Sequence, residues 1–283
     1  MKKISENIKN KISTLRRNSY RQNYQAIIKK IFVKHVSSNM YENFSYSLPS
    51  YLISYPRSGS NFLQSVLSGS AGIPSKSIYS FPHNKAHLTL SMKAHSLSYD
   101  HLIDEINRLV PGSKFSNKLI VLQRDPRDVM ISFFEFLLYK KEIQIPQADF
   151  LNNVCYFYAT FKPQHLALDR KVEIAPTSII DSYRKFVNNW IANPPNNVNI
   201  LLVKFENLVL NPESEFQGIF DFLELDCLLN SEQLKVKVSQ YHYTDRPRAT
   251  IGGWKLMQHK YSELISMTNE LLHSELVLMG YEI

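Results

Sequence analysis

Short apolar runs alternate with amphipathic stretches along most of the chain. Tyr51–Tyr55, Lys118–Gln123 ("KLIVLQ") and Val198–Phe205 ("VNILLVKF") read as buried strands, because each is a brief, continuous apolar run. Leu88–Ala94 ("LTLSMKA") alternates well enough for a strand. Helical spacing recurs over Asn61–Ser70, Tyr99–Leu109, Phe150–Lys162, Ile179–Ile191, Glu213–Leu223 and Tyr261–Met279. Another helix should follow Asp125-Pro126 through Val129, Phe133, Phe136 and Leu137, with Pro126 in its first turn. Ser77–Lys85 reads as a loop and Pro194–Asn197 as a turn. Buried strands alternating with helices predict a three-layer α/β fold: a central, mostly parallel sheet with helices on both faces. Ligands in such sheets sit at the C-terminal ends of the strands.

Composition changes this picture little, and charge changes it more. The chain has 283 residues, 44% of them apolar, enough for a proper core. Its two cysteines, Cys155 and Cys227, give no disulfide framework and no zinc site, and they suit a reducing, cytoplasmic setting. No run of 18 apolar residues predicts a transmembrane helix. Apolar patches near the N-terminus, such as "AIIKKIFV", are broken by lysines, unlike a secretory signal. Of the net charge of +8, residues 1–40 carry +9, which leaves about −1 for the rest. The basicity therefore belongs to an extension, 1–45, and the remaining 46–283 form the main body of the chain. Ile4, Ile8, Ile12 and Leu15 share one helical face there. Such a basic helix can contact an anionic membrane through residues 1–34, pack on the protein's own body, or act as an organelle presequence.

Four stretches carry candidate chemistry. "SYPRSGSNF" (Ser54–Phe62) joins a strand to a helix through small residues, hydroxyls, backbone N–H groups and a cation. That is the equipment of an anion-binding bend, although a plain turn remains an alternative. With one glycine, Gly59, and no Gly-Lys pair, it does not fit a nucleoside triphosphate loop. In "LQRDPRDVMIS", Arg124 ends a strand and Ser132 lies eight residues later. They can converge on a bulky ligand, or Arg124 can simply pair with Asp125 or Asp128. In "MKAHS", Lys93 and His95 share a strand face, placing a cation beside a titratable imidazole. "RPRATIGGWK" sets Arg246 and Arg248 near Gly252-Gly253, Trp254 and Lys255, either a lid over an anion or a surface loop.

In this order the four stretches resemble the cytosolic sulfotransferases that use 3′-phosphoadenosine-5′-phosphosulfate (PAPS). "YPRSGSNF" is similar to that family's phosphosulfate loop, YPKSGTTW. "RDPRDVMIS" resembles its 3′-phosphate motif, "KAH" its K-T-H segment, and "RATIGGWK" its R-K-G-x-x-G-D-W-K lid. The resemblance runs from about Tyr51 to Lys255 and excludes the N-terminal extension.

The resemblance implies a P-loop-like site in which Arg57, Ser58, Gly59, Ser60 and Asn61 hold the 5′-phosphosulfate. Phe62 and Phe205 would lie near the adenine, Arg124 and Ser132 would bind the 3′-phosphate, and Arg248 would close over it. His95 would be the catalytic base, with Lys93 and Arg57 steadying the transferring group. PAPS would be the donor, PAP the product, and no metal is required. The sequence also departs from the family. Arg57 stands for a lysine, Phe62 for a tryptophan, Pro247 for a lid cation, Ala249 for a glycine and Gly253 for an aspartate. The dimerisation motif K-x-x-x-T-V-x-x-x-E is absent after Trp254, so dimerisation by that route is not expected.

The expected reaction is sulfuryl transfer to a hydroxyl or amine of a small-molecule, glycan or lipid-linked acceptor, with no nucleic acid involved. Two rivals stand beside it: a non-catalytic nucleotide or polyanion binder, and a nucleotide kinase on the same sheet. Phe81, His83, Phe134, Tyr139 and Tyr158 are candidates for an acceptor pocket, with core packing as the alternative.

Overall fold

The computed structural model describes residues 50–70, 76–77, 91–109, 116–140, 144–155, 177–224 and 251–283. The basic extension, Phe81, His83, Tyr158, Arg246 and Arg248 lie outside the described residues, as does the side chain of Tyr139.

Five strands form one sheet: β1 (Ser50–Ser54), β2 (Lys76–Ser77), β3 (Ser91–Ala94), β4 (Lys118–Gln123) and β7 (Asn199–Lys204). Their order is β2-β3-β1-β4-β7, and every pairing is parallel. A short antiparallel ribbon stands apart, β5 (Val154–Cys155) with β6 (Thr177–Ser178). Leaving β1, the chain builds β2 and β3 on one side, then crosses to β4 and β7 on the other. That reversal of direction makes a crevice at the C-terminal end of β1, where this class of sheet binds ligands.

The register sets what meets at that crevice. Ile53 lies opposite both Ala94 and Val121, so His95 and the bend after Ser54 start side by side. Gln123 lies opposite Lys204, which brings Arg124 beside Phe205.

Helices cover both faces of the sheet. Tyr51, Ile53, Leu119 and Val121 share a core with residues of α3 (Pro126–Lys140), α5 (Ile179–Val187) and α9 (Gln258–Leu271). The intervening Leu52, Ile120 and Leu122 are also fully buried. Phe62, Leu63, Val66 and Leu67 on α1 (Ser60–Ser70) and Phe216, Ile219 and Phe220 on α7 (Pro212–Phe222) are buried as well. The rings of Phe62, Phe205 and Phe216 meet edge to face there. On the first face, Tyr55 stacks edge-on against Tyr183 with centroids 4.8 Å apart, and its hydroxyl bonds Ser182 Oγ at 2.8 Å. Each such ring removes enough apolar surface from water to contribute about 1.5–3 kcal/mol.

Several elements differ from expectation. Helix α2 (Tyr99–Leu109) and β4 match their predicted bounds. The helix expected over Phe150–Lys162 does not form at its start: α4 is only Gln147–Phe150, and the chain turns at Leu151–Asn152 into β5. The turn lets the backbone of Asn153 and Leu151 accept from Ile179 and Ile180, tying this ribbon to the start of α5. The helix expected to Ile191 changes after Val187 into one π turn, Asn188–Ala192. β7 is not buried throughout. It pairs with one described neighbour, β4, and Leu202 is 45% exposed. Phe205 does not belong to it and begins α6 (Phe205–Leu210). The C-terminal helix breaks at Leu272 into α9 and α10 (His273–Leu278).

Candidate functional site

The bend after β1 is shaped by two residues of positive φ, Arg57 (73°) and Gly59 (94°). The Ser58 amide donates to the Tyr55 carbonyl at 3.2 Å, and the Phe62 amide to the Gly59 carbonyl at 2.9 Å, so the bend passes directly into α1. Gly59 is required twice over. Its φ favours glycine, and an added Cβ would stand 2.3 Å from the Phe205 ring. The left-handed conformation of Arg57, which has a side chain to accommodate, is local strain of the kind that clusters at functional sites.

Three of the four sequence stretches converge on this bend. Arg57 Nε donates to Ser132 Oγ at 3.1 Å, and its guanidinium lies 4.9 Å from the Phe136 ring. Arg124 is 4% exposed. It donates from Nη1 to the Arg57 carbonyl at 3.3 Å, and its guanidinium covers the Phe205 ring at 4.6 Å. Lys93 Nζ donates to Asn61 Oδ1 at 2.5 Å. Arg57 and Lys93 stand close enough that burial, aided by the Arg57 charge, lowers the Lys93 ammonium to about 8. A half-buried pair of cations beside backbone N–H groups favours an anion.

His95 follows β3 with its ring half-buried. Its Nδ1 lies 2.8 Å from the Ser54 carbonyl and 3.2 Å from Ser54 Oγ. A carbonyl only accepts, so Nδ1 carries the proton and the basic lone pair belongs to Nε2. Burial, Lys93 and Arg57 push the imidazolium down to about 3, opposed by the Ser54 hydrogen bond. The ring is therefore neutral across the physiological range. The loop behind it is pinned: Trp190 Nε1 donates to the Ser96 carbonyl at 2.8 Å and Asn189 Nδ2 to the Leu97 carbonyl at 3.1 Å. Ser96 Oγ donates to the buried Glu105 carboxylate.

The "RDPRD" stretch has a clear local logic. Asp125 accepts the Arg127 amide at 2.9 Å and so caps α3, with Pro126 in the first helical position. Arg127 returns a bidentate grip on Asp125 (2.9 and 2.8 Å) and lies 4.0 Å from the Trp254 ring. Trp254 Nε1 donates to Asp125 Oδ2 at 3.1 Å, and its backbone amide to Asp128 Oδ1 at 2.7 Å. Those bonds bring α8 (Gly253–Leu256) against the start of α3. Between them lies a shallow, open cleft lined by Arg124, Asp128, Ser132, Glu135, Gly253 and Trp254, with Ile131 and Met257.

Among the candidate residues, Arg57, Ser58, Gly59, Ser60, Asn61, Lys93, His95, Arg124 and Ser132 all belong to this one strand-end region. Phe62 does not line the cleft. It is 1% exposed and lies in the core behind Phe205, which is equally buried. Phe134 is likewise core, edge-on to Phe150 and Tyr261. Sequence reasoning missed Asp128 as the anchor for Trp254 and missed Trp190, Asn189 and Glu105 behind His95. Asp128 had one visible signal, its i,i+4 spacing from Arg124, and their groups lie 3.7 Å apart.

A family model described as "Sulfotransferase domain" matches residues 49–249. Among solved structures, the chain resembles a mouse sulfotransferase, SULT7A1, complexed with PAP. Identity is 17%, covering 83% of this chain and 89% of that one, with a TM-score of 0.52. Two further likenesses are the sulfotransferase domain of the curacin biosynthetic pathway (14% identity, 84% and 99% coverage, TM-score 0.46) and that of the Synechococcus PCC 7002 olefin synthase (17%, 84% and 97%, 0.45). No curated protein matches the chain.

Proposed function

The chain belongs to the sulfotransferase family, and on that premise we propose that it moves a sulfuryl group from PAPS to a hydroxyl or amine acceptor by in-line displacement. The observation that carries the reading is the junction of two anion-binding elements. The bend after β1 and the Arg124–Ser132 pair are stitched together through Arg57, and Arg124 and Ser132 in turn line the cleft against Trp254. One ligand with phosphates at two ends satisfies both, and PAPS is such a ligand.

In this reading the N–H groups of the bend, Arg57 and Lys93 hold the 5′-phosphosulfate. Arg124 and Ser132 hold the 3′-phosphate, and charge-assisted bonds give that grip its strength. The acceptor oxygen attacks sulfur, the bond from sulfur to the phosphate oxygen breaks, and PAP leaves. The acceptor's proton passes to His95 Nε2, the atom left basic by the Nδ1 bond to Ser54. Burial is the larger cause of the lowered imidazole basicity, and a bound sulfate offsets only the share that Lys93 and Arg57 contribute. Preorganised charge and positioning supply most of the acceleration, as in phosphoryl transfer.

Transfer of labelled sulfate from PAPS to a panel of phenols, alcohols, amines and glycans, with EDTA present, tests the reading. Labelled acceptor formed with EDTA supports it. A requirement for Mg²⁺ and ATP would favour the kinase reading, and tight PAP binding without turnover on any acceptor would favour the non-catalytic one.

A further inference from the structure

Asp128 sits where the reading above puts the 3′-phosphate, yet it is an acid. It is 5% exposed and lines the cleft beside Arg124 and Ser132. Its two oxygens differ. Oδ1 accepts the Trp254 amide at 2.7 Å, whereas Oδ2 has no hydrogen-bond partner among the described residues. Arg124 Nη2 is 3.7 Å from Oδ2, too far for a hydrogen bond. A buried carboxylate oxygen left without a donor costs free energy, and an incoming phosphate would repel it if it stayed ionised.

We propose that Asp128 is a positioning residue for the nucleotide: Oδ1 fixes the Trp254 backbone as a wall of the cleft, and Oδ2 takes up a proton and donates it in a hydrogen bond to the 3′-phosphate. This rests on the PAPS reading of the cleft. Protonation removes the repulsion and turns a liability into a donor, while Arg124 keeps its full charge for the same phosphate. The surroundings favour this. Arg124 pulls toward the ionised form, but burial and the carboxylates of Asp125 and Glu206 outweigh it and hold Asp128 at about 6. Arg127 is occupied by Asp125, and Glu135 on the next turn of α3 is engaged by Tyr261 and Lys260. A dianion arriving at the cleft raises Asp128 further, so binding near neutral pH takes up protons, and affinity rises as pH falls toward 6.

Calorimetric titration with adenosine 3′,5′-bisphosphate at pH 7, in two buffers of different ionisation enthalpy, counts those protons. The nucleotide's phosphates have a second pKa of about 6, so binding of the dianion can only release protons from the ligand. Uptake must come from the protein, and Lys93 contributes with the same sign. Asp128→Asn separates the two. Its amide oxygen still accepts from Trp254 and its NH₂ replaces the hydroxyl donor, so it should bind but take up markedly fewer protons than wild type. Asp128→Ala loses both contacts and should bind about 10-fold more weakly, the equivalent of one to two hydrogen bonds. Asp128→Asn with wild-type proton uptake, or a folded Asp128→Ala with wild-type affinity, overturns the proposal. If wild type gives no heat while its melting temperature shows it folded, the PAPS reading itself fails. If Asp128→Ala does not fold, proton uptake in Asp128→Asn decides alone.

Discussion

Arg57 and Ser132, 75 positions apart in the chain, are joined by a 3.1 Å hydrogen bond from guanidinium to hydroxyl. The bond ties the bend after β1 to the second turn of α3. It makes a continuous floor out of two elements that the chain builds separately. Removing the hydroxyl in Ser132→Ala should weaken binding of adenosine 3′,5′-bisphosphate about 5–10-fold by titration calorimetry, one lost hydrogen bond on the ligand side plus a looser Arg57. Unchanged affinity would show that the bond is incidental.

Gly59 allows no side chain. Its φ of 94° and the Phe205 ring 2.3 Å from an added Cβ mean that Gly59→Ala must rebuild the bend or displace the ring on which Arg124 rests. We expect a loss of about 1–3 kcal/mol in stability, seen as a lower melting temperature, together with loss of nucleotide binding. A variant that melts and binds like wild type would contradict the packing described.

The His95 imidazole should be neutral in the free protein, with its proton on Nδ1. An NMR titration should show that tautomer and no inflection down to about pH 5. An inflection near 6.5, the ordinary histidine value, would mean that the ring is not buried among cations as found. His95→Ala should lower kcat by about 10²–10⁴-fold while leaving nucleotide affinity in place.

Lys93 should impose an alkaline limit. Its ammonium is lowered to about 8, so it loses charge as pH rises through that value, and the grip on the donor weakens. KM for PAPS should climb above pH 8 in wild type. In Lys93→Arg the climb should disappear, because a guanidinium stays charged. The same climb in both proteins would locate the titrating group elsewhere.

Trp190 acts on His95 from behind. Without its Nε1–H, the Ser96 carbonyl loses a buried donor and the loop after β3 loosens. Trp190→Phe should reduce kcat more than it changes KM for PAPS, since the bend and Arg124 are untouched. A change confined to KM would argue against this role.

Strands β1, β3, β4 and β7 were legible as short apolar or alternating runs separated by helical spacing, whereas β2 is two polar residues, Lys76–Ser77, and its Ser77 reads as the start of a loop. The bend was legible because its residue types have few other uses. Arg57, Lys93, His95, Arg124 and Ser132 stand out in the sequence because each lies in a motif at or just past a strand end. What sequence did not reveal depends on contacts distant along the chain. The family resemblance implies that Phe62 lies near the adenine, but helical phase turns it into the core beside Phe205 and Phe216. Periodicity continues past Phe150, yet the backbone leaves the helix to receive the amides of Ile179 and Ile180. Asp128 reads as a partner for Arg124, and only the fold brings the Trp254 amide to it across 126 positions.

The geometry of one complex tests the central claim most directly: a crystal structure of the full chain with adenosine 3′,5′-bisphosphate. The account predicts the 5′-phosphate on the amides of the bend at 57–61, and the 3′-phosphate within hydrogen-bond distance of Arg124 and Ser132. A nucleotide bound at another surface, or one whose 3′-phosphate touches neither residue, would contradict it.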